Sequence, residues 1–326
     1  MSHEHPAKPA PKGHSHSHGI GGHSHAPPVG QGSGPNTGSR YTSRLAIAFA
    51  LTAGFFVIEL VAGLLSDSLA LIADAGHMAT DVVALGAALV ATRIAGRPDS
   101  TGKRTYGRYR SEVFAAGLTC LLMLGVGVFV VIEAVGRIGA APVVGTRLMM
   151  IVGVIGLVVN LVSLLLLRRG SQDSITMRGA YIEVLGDAAG SVGVLAAGIL
   201  ISATGNPIWD VIVAVGIGAF VVVRAVSLSR SVLRVLGQHI PEGVDLQEIS
   251  ADLGQVPGVA ELHDLHIWAL TSGMNVATAH LVLAPGADAH RVLDAAQQML
   301  TTKHEIEHAT LQVEPADHSM CKDLTW

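Results

Sequence analysis

The stretch Ser68-Leu-Ala-Leu-Ile-Ala-Asp-Ala-Gly-His-Met-Ala-Thr-Asp-Val-Val-Ala-Leu-Gly-Ala-Ala-Leu-Val-Ala-Thr92 decides the fold. It is long and apolar enough to cross a bilayer, which takes about 20 residues. Yet it carries Asp74, His77 and Asp81 between its seventh and fourteenth residues. A strand cannot run this far, and an open chain crosses lipid only as a helix, where every backbone polar group is satisfied internally. On a helix, His77 and Asp81 lie four apart on one face, with Asp74 on the same side. Five further apolar runs surround it in sequence: Leu45–Leu65, Val113–Val135, Leu148–Leu167, Gly179–Ala203 and the shorter Pro207–Val223. Six transmembrane helices are therefore expected between about residues 42 and 230.

The whole chain fits this reading. Of its 326 residues, 50% are hydrophobic and only 14% are charged, against about 25% charged in a soluble domain. The formal net charge of −4 argues against a nucleic-acid partner. Cys120 and Cys321 are too few and too far apart in sequence for a disulfide framework. The first 40 residues lack the apolar core of a secretory signal and are rich in Gly, Pro, Ser and His. Lys and Arg concentrate in alternate connections. Arg93, Arg97, Lys103, Arg104, Arg108 and Arg110 follow the second run, Arg168, Arg169 and Arg178 the fourth, and Arg224, Arg230 and Arg234 the sixth. The positive-inside bias places both termini in the cytoplasm.

The fifth run repeats the i, i+4 spacing with Glu183 and Asp187. An acid at mid-helix costs about 2.5–3.5 kcal/mol on insertion scales, so two helices carrying such pairs turn them toward each other rather than toward lipid. His77, Asp81, Glu183 and Asp187 together offer one imidazole and three carboxylates, a set suited to a tetrahedral divalent transition metal. The competing reading is an interhelical hydrogen-bond or proton-relay cluster without metal. Asp74 is a weaker ligand candidate and fits a supporting or proton-carrying role. Glu59, Asn160 and Asp210 read as packing or pathway polar groups, and Gly186-x-x-x-Gly190 as a close helix contact.

Beyond about residue 237 the pattern changes. Asp245–Leu253 is a short amphipathic helix, Val259–Leu270 and Asn275–Leu283 are strands turning at Gly273, Asp288–Thr302 is helical, and Ala309–Glu314 is a third strand. This αββαβ order makes a small two-layer α+β domain, marginal in size alone and helped by dimerisation or metal. The chain then divides into a disordered His-rich tail (1–40), an all-α six-helix transmembrane domain (41–236) and an α+β domain (237–326).

Several segments resemble one family. They are Ser68–Asp81, the loop Arg104-Thr-Tyr-Gly-Arg-Tyr-Arg-Ser-Glu112, Arg178-Gly-Ala-Tyr-Ile-Glu-Val-Leu-Gly-Asp-Ala-Ala-Gly-Ser191, His263-Asp-Leu-His-Ile-Trp268 and Thr310-Leu-Gln-Val-Glu314. In this order they are similar to the cation diffusion facilitators of the zinc-transporter type. The resemblance implies a homodimer in a bacterial inner membrane that exports divalent metal from the cytosol in exchange for protons. It implies a transport site on His77, Asp81, Glu183 and Asp187, no enzymatic cofactor, and a ferredoxin-like cytoplasmic domain that binds regulatory metal. Zinc-selective relatives usually have His at the position of Glu183, so Co²⁺, Cd²⁺, Mn²⁺ and Fe²⁺ join Zn²⁺ as candidate cargo.

For the cytoplasmic metal the ligand candidates are His263, His280, His308, Glu314 and Cys321. His266, three residues from His263, is expected on the opposite strand face, while His290 and His304 read as solvated surface side chains. His304-Glu-Ile-Glu-His308 matches the zinc-protease pattern His-Glu-x-x-His, which works only on one continuous helix; a helix end near Thr302 breaks it. The seven tail histidines, from His3 to His25, can capture metal without folding. Two other classes stay open: a membrane metal sensor that does not transport, and a membrane metalloprotease.

Overall fold

A computed structural model describes residues 38–95, 102–139, 143–168, 175–271 and 273–316. The histidine-rich tail and Cys321 lie outside the described residues.

Among the described residues, six helices are long and apolar enough to cross a membrane. They are α1 (Gly38–Ser66), α2 (Leu69–Ala95), α3 (Ser111–Arg137), α4 (Thr146–Arg168), α5 (Ile175–Thr204) and α6 (Ile208–Leu236). They match the six apolar runs, with one informative difference. The sixth run stops at Val223, but α6 continues to Leu236 and takes Arg224, Arg230 and Arg234 into the helix. Residues 207–223 rise only about 26 Å as a helix, short of the roughly 30 Å of hydrocarbon, so the helix continues through its cations. In the bundle α2 packs against α1, α3, α5 and α6, while α4 lies against α1 and α5. Leu69, Leu71, Met78, Val130, Met149 and Val194 are among the buried core side chains.

Small residues bring the polar helices together. A Cβ added at Gly190 on α5 would lie 2.5 Å from Asp74 Oδ1 on α2, so any larger residue there would push the carboxylate aside. At Gly156 on α4 it would lie 2.6 Å from the Phe55 ring of α1.

The tight α1–α2 corner has its own solution to the orphan amides that every helix N-terminus leaves. The carboxylate of Asp210, at the start of α6, accepts the Leu69 N–H at 2.6 Å, the Ala70 N–H at 3.2 Å and the Ser68 hydroxyl at 2.6 Å. Asp210 is thus a cap lent by one helix to another. Asp67 turns the corner in the left-handed region (φ 52°). Arg137 holds it by donating to the Asp67 carbonyl at 2.6 Å and to its carboxylate at 2.8 Å.

The C-terminal domain follows the expected αββαβ order: α7 (Leu246–Gly254), β1 (Val259–Thr271), β2 (Met274–Leu283), α8 (Ala289–His304) and β3 (His308–Glu314). The sheet order is β1-β2-β3, with β1 antiparallel and β3 parallel to β2. Asp245 and Asp288 cap the two helices by accepting N–H groups of their first turns. Val292, Ala296 and Leu300 of α8 recur at four-residue spacing and pack with Ile249, Leu253 and Leu281 in one core. The domain meets the bundle where Thr271 donates to Glu112 at 2.8 Å and where the His308 ring stands edge-on to Tyr106.

Helices α7 and α8 are tied by Asp252, which accepts from Lys303 at 2.5 Å and pairs with His304 at 2.7 Å. His304 is therefore a structural partner, not the solvated side chain expected. The hydrogen bonds from Lys303 and His304 hold the Asp252 carboxyl below its ordinary value. A depressed carboxyl contributes stability above its unfolded value and loses it as the pH falls through the folded one.

Two outcomes follow from these contacts. Asp210→Ala leaves buried amides unpaired and should lower the unfolding free energy in detergent by about 1–3 kcal/mol, read as a lower Tm. Asp252→Asn should make the acid-side loss of C-terminal-domain structure, followed by circular dichroism below about pH 4, shallower than in the native chain.

Candidate metal centres

Packing α2 on α5 brings all four predicted transport residues together. His77 Nδ1 lies 3.6 Å from Asp81 Oδ2, and His77 Nε2 lies 3.6 Å from Asp187 Oδ1. One ligand atom each from His77, Asp81 and Glu183 falls within 4.8 Å of the others. His77 and Asp187 are buried, and both His77 Nδ1 and Asp187 Oδ1 lack a hydrogen-bond partner among the described residues. Buried polar atoms are rarely left so, and a cation beside Asp187 would satisfy its Oδ1.

A fifth member is absent from the sequence reading. Arg224, a charge marking the end of the sixth span, reaches back into the cluster. Its Nη1 is 2.5 Å from Glu183 Oε1, and its Nη2 is 2.8 Å from Glu183 Oε2. Nη1 also lies 3.2 Å from His77 Nε2 and 3.8 Å from Asp81 Oδ1. Phe220, one turn earlier on α6, meets the His77 ring edge-on and lies beneath the guanidinium. The signal is present in the short sixth run, whose length already requires the helix to include Arg224. Arginine has donors only, so this contact assigns His77 Nε2 as an acceptor.

A second polar layer lies one helical turn along α2. Glu59 of α1 and Asp74 of α2 are both buried there. Asn160 of α4 donates to Ser191 of α5 at 3.3 Å, next to the Gly190–Asp74 approach.

In the C-terminal domain, His263 and His280 are cross-strand partners with ring centroids 5.1 Å apart. Glu314, buried at the end of β3, lies beside them: its Oε1 is 2.9 Å from His280 Nδ1, and its Oε2 is 3.6 Å from His263 Nε2. Neither His263 Nε2 nor His280 Nδ1 makes a hydrogen bond of good geometry among the described residues. Gln312 donates to Glu314 at 2.8 Å and fixes the carboxylate.

The structure does not bring His308 to this cluster. It begins β3, whose other end is Glu314, about 20 Å away along an extended strand. His266 also departs from simple alternation. A bulge at Asp264 (φ 52°) shifts the register, so His263 pairs with His280 while His266 pairs with Thr278. The extra residue cancels the expected change of face. Asp264 bridges the two, 2.9 Å from His266 Nε2 and 3.8 Å from His280 Nε2. His304 ends α8, Glu305 is left-handed and His308 opens a strand, so the His-Glu-x-x-His pattern has no continuous helix.

Comparison with known proteins agrees with this architecture. The model of the cation efflux transmembrane domain matches residues 45–236, and that of the cation efflux protein cytoplasmic domain matches 241–316. The metal cation efflux system protein CzcD of Cupriavidus metallidurans is 44% identical over 90% of both chains. The zinc transporter ZitB of Escherichia coli is 36% identical over 83% of this chain and 87% of its own. The cadmium, cobalt and zinc/H(+)-K(+) antiporter of Bacillus subtilis is 32% identical over 84% and 89%. Among solved structures, the metal-bound C-terminal domain of CzcD from Cupriavidus metallidurans is 44% identical, covering 22% of this chain and 99% of that one with a TM-score of 0.21. The chain belongs to the cation efflux family, the cation diffusion facilitators, and is a multi-pass membrane transporter of metal cations rather than an enzyme.

Proposed function

We propose that this protein exports a divalent transition metal, Zn²⁺ first, from the cytosol in exchange for protons, and that His77, Asp81, Glu183 and Asp187 carry the ion. The observation that supports this most directly is the meeting of one imidazole and three carboxylates between α2 and α5, with a buried Asp187 oxygen that lacks a hydrogen bond among the described residues. Three oxygen donors and one nitrogen donor leave harder ions such as Mn²⁺ and Fe²⁺ less excluded, beside Co²⁺ and Cd²⁺.

Placing the ligands on two helices lets a change in their relative tilt open and close the site. Metal ligands must be deprotonated to bind, so loading expels protons and protonation aids release. His77 is the natural switch, because protonation turns its ligating lone pair into an N–H that cannot hold metal. The Bacillus subtilis relative is a cadmium, cobalt and zinc/H(+)-K(+) antiporter, which supports proton coupling. Buried Glu59 and Asp74, one helical turn along α2 from His77, are suited to pass protons to the site.

The charge bias of the connections supports cytoplasmic termini in a bacterial inner membrane, and the match to the cytoplasmic-domain model supports homodimerisation. His263, His280 and Glu314 are the proposed regulatory ligands; Cys321 stays a candidate from sequence alone. A sensor without transport would need no ligands within the spans.

In proteoliposomes, an imposed pH gradient should drive Zn²⁺ uptake, and Asp81→Ala should lower it at least about tenfold. Uptake indifferent to the gradient contradicts proton exchange, and uptake surviving Asp81→Ala contradicts the site. Separately, His280→Ala should lower the Zn²⁺ bound per protomer in equilibrium dialysis while leaving the gradient-driven flux measurable.

A further inference from the structure

Arg224 stands where the cargo would stand. Its Nη1 lies within 2.5–3.8 Å of ligand atoms of Glu183, His77 and Asp81. Bound Zn²⁺ takes such atoms at about 2.0–2.2 Å, so the guanidinium and the metal cannot hold the same three side chains together. Arginine stays charged at any pH the protein meets, so proton loss cannot clear it from the site. It has to move. Its long stem allows this, and at 24% side-chain exposure it is less enclosed than His77 at 2%.

We propose that Arg224 is a tethered counter-cation, which occupies the transport site when metal is absent and is displaced from it on loading. This rests on the site assigned above. Asp81, Glu183 and Asp187, when ionised, bring three negative charges; Arg224 offsets one of them in the empty site, and a divalent cation offsets two once it has displaced the guanidinium. The guanidinium thereby sets affinity: each ion that enters must compete with it, and its return helps each ion to leave. Its Nη2 hydrogen bond to Glu183 Oε2, with the Nη1–Oε1 ion pair beside it, is the strongest of these contacts. A consequence is that Glu183 and Arg224 act as a pair. Replacing Glu183 by His while also removing the Arg224 charge leaves the formal charge of the site unchanged, whereas either change alone does not.

The test uses full-length protein. Zn²⁺ binding is measured by titration calorimetry in a His280→Ala background, so that the C-terminal cluster does not mask the site, and flux is measured in liposomes. Arg224→Gln should lower the Kd for Zn²⁺ about tenfold and also lower kcat, because release loses its competitor. Glu183→His should weaken binding, and adding Arg224→Gln to it should tighten binding by less than Arg224→Gln tightens the parent, because the guanidinium has already lost its main anchor. A Kd that is unchanged or weaker in Arg224→Gln overturns the proposal. If that variant does not fold, Arg224→Lys is read instead. It keeps the charge without the fork and should bind Zn²⁺ more tightly than the parent, by a smaller factor; a weaker Kd overturns the proposal. Asp81→Ala separates the two levels. If it binds Zn²⁺ as the parent does, the site assignment fails; if it loses binding while Arg224→Gln does not tighten it, only the role of Arg224 fails.

Discussion

Charge inside lipid has to be answered by charge or hydrogen bonds inside the protein. An acid at mid-span costs about 2.5–3.5 kcal/mol on insertion scales, and this bundle holds several. Two of them are met by a partner on another helix: Asp210 by the amides of α2 and Glu183 by Arg224. The arrangement of α2, α5 and α6 follows from these pairings as much as from apolar packing, which in lipid supplies little drive between helices.

Helix α6 consequently serves α2 at two levels. Near its start Asp210 caps the α2 N-terminus; near its middle Phe220 and Arg224 meet His77 and Asp81. Motion of α2 against α5 therefore engages α6. The C-terminal domain joins the bundle through Thr271–Glu112 and His308–Tyr106. Its His263–His280–Glu314 cluster lies in the same sheet as both Thr271 and His308, which gives its occupancy a physical route to the helices.

Much of this architecture is legible from residue spacing. The i, i+4 pairs in α2 and α5 identify the facing surfaces, and the αββαβ order emerges from changes in period. What escapes the sequence depends on tertiary geometry. Asp210 reads only as a packing or pathway group, because a cap borrowed from another helix leaves no local pattern. The bulge at Asp264 reverses the alternation rule for His266, although Asp is among the few residues that tolerate a left-handed backbone. His308 has the composition of a ligand, and the length of β3 carries it away from Glu314. The topology rule counts Arg224 as a cation at a span's edge without asking whether its side chain points inward.

The most direct measurement is X-ray absorption at the zinc edge on full-length His280→Ala protein loaded with one Zn²⁺ per protomer. A first shell of about four light donors near 2.0 Å, with the scattering of a single imidazole, is the result predicted for His77, Asp81, Glu183 and Asp187. Sulfur at about 2.3 Å, or a shell of several imidazoles, would place the ion elsewhere and contradict the assignment.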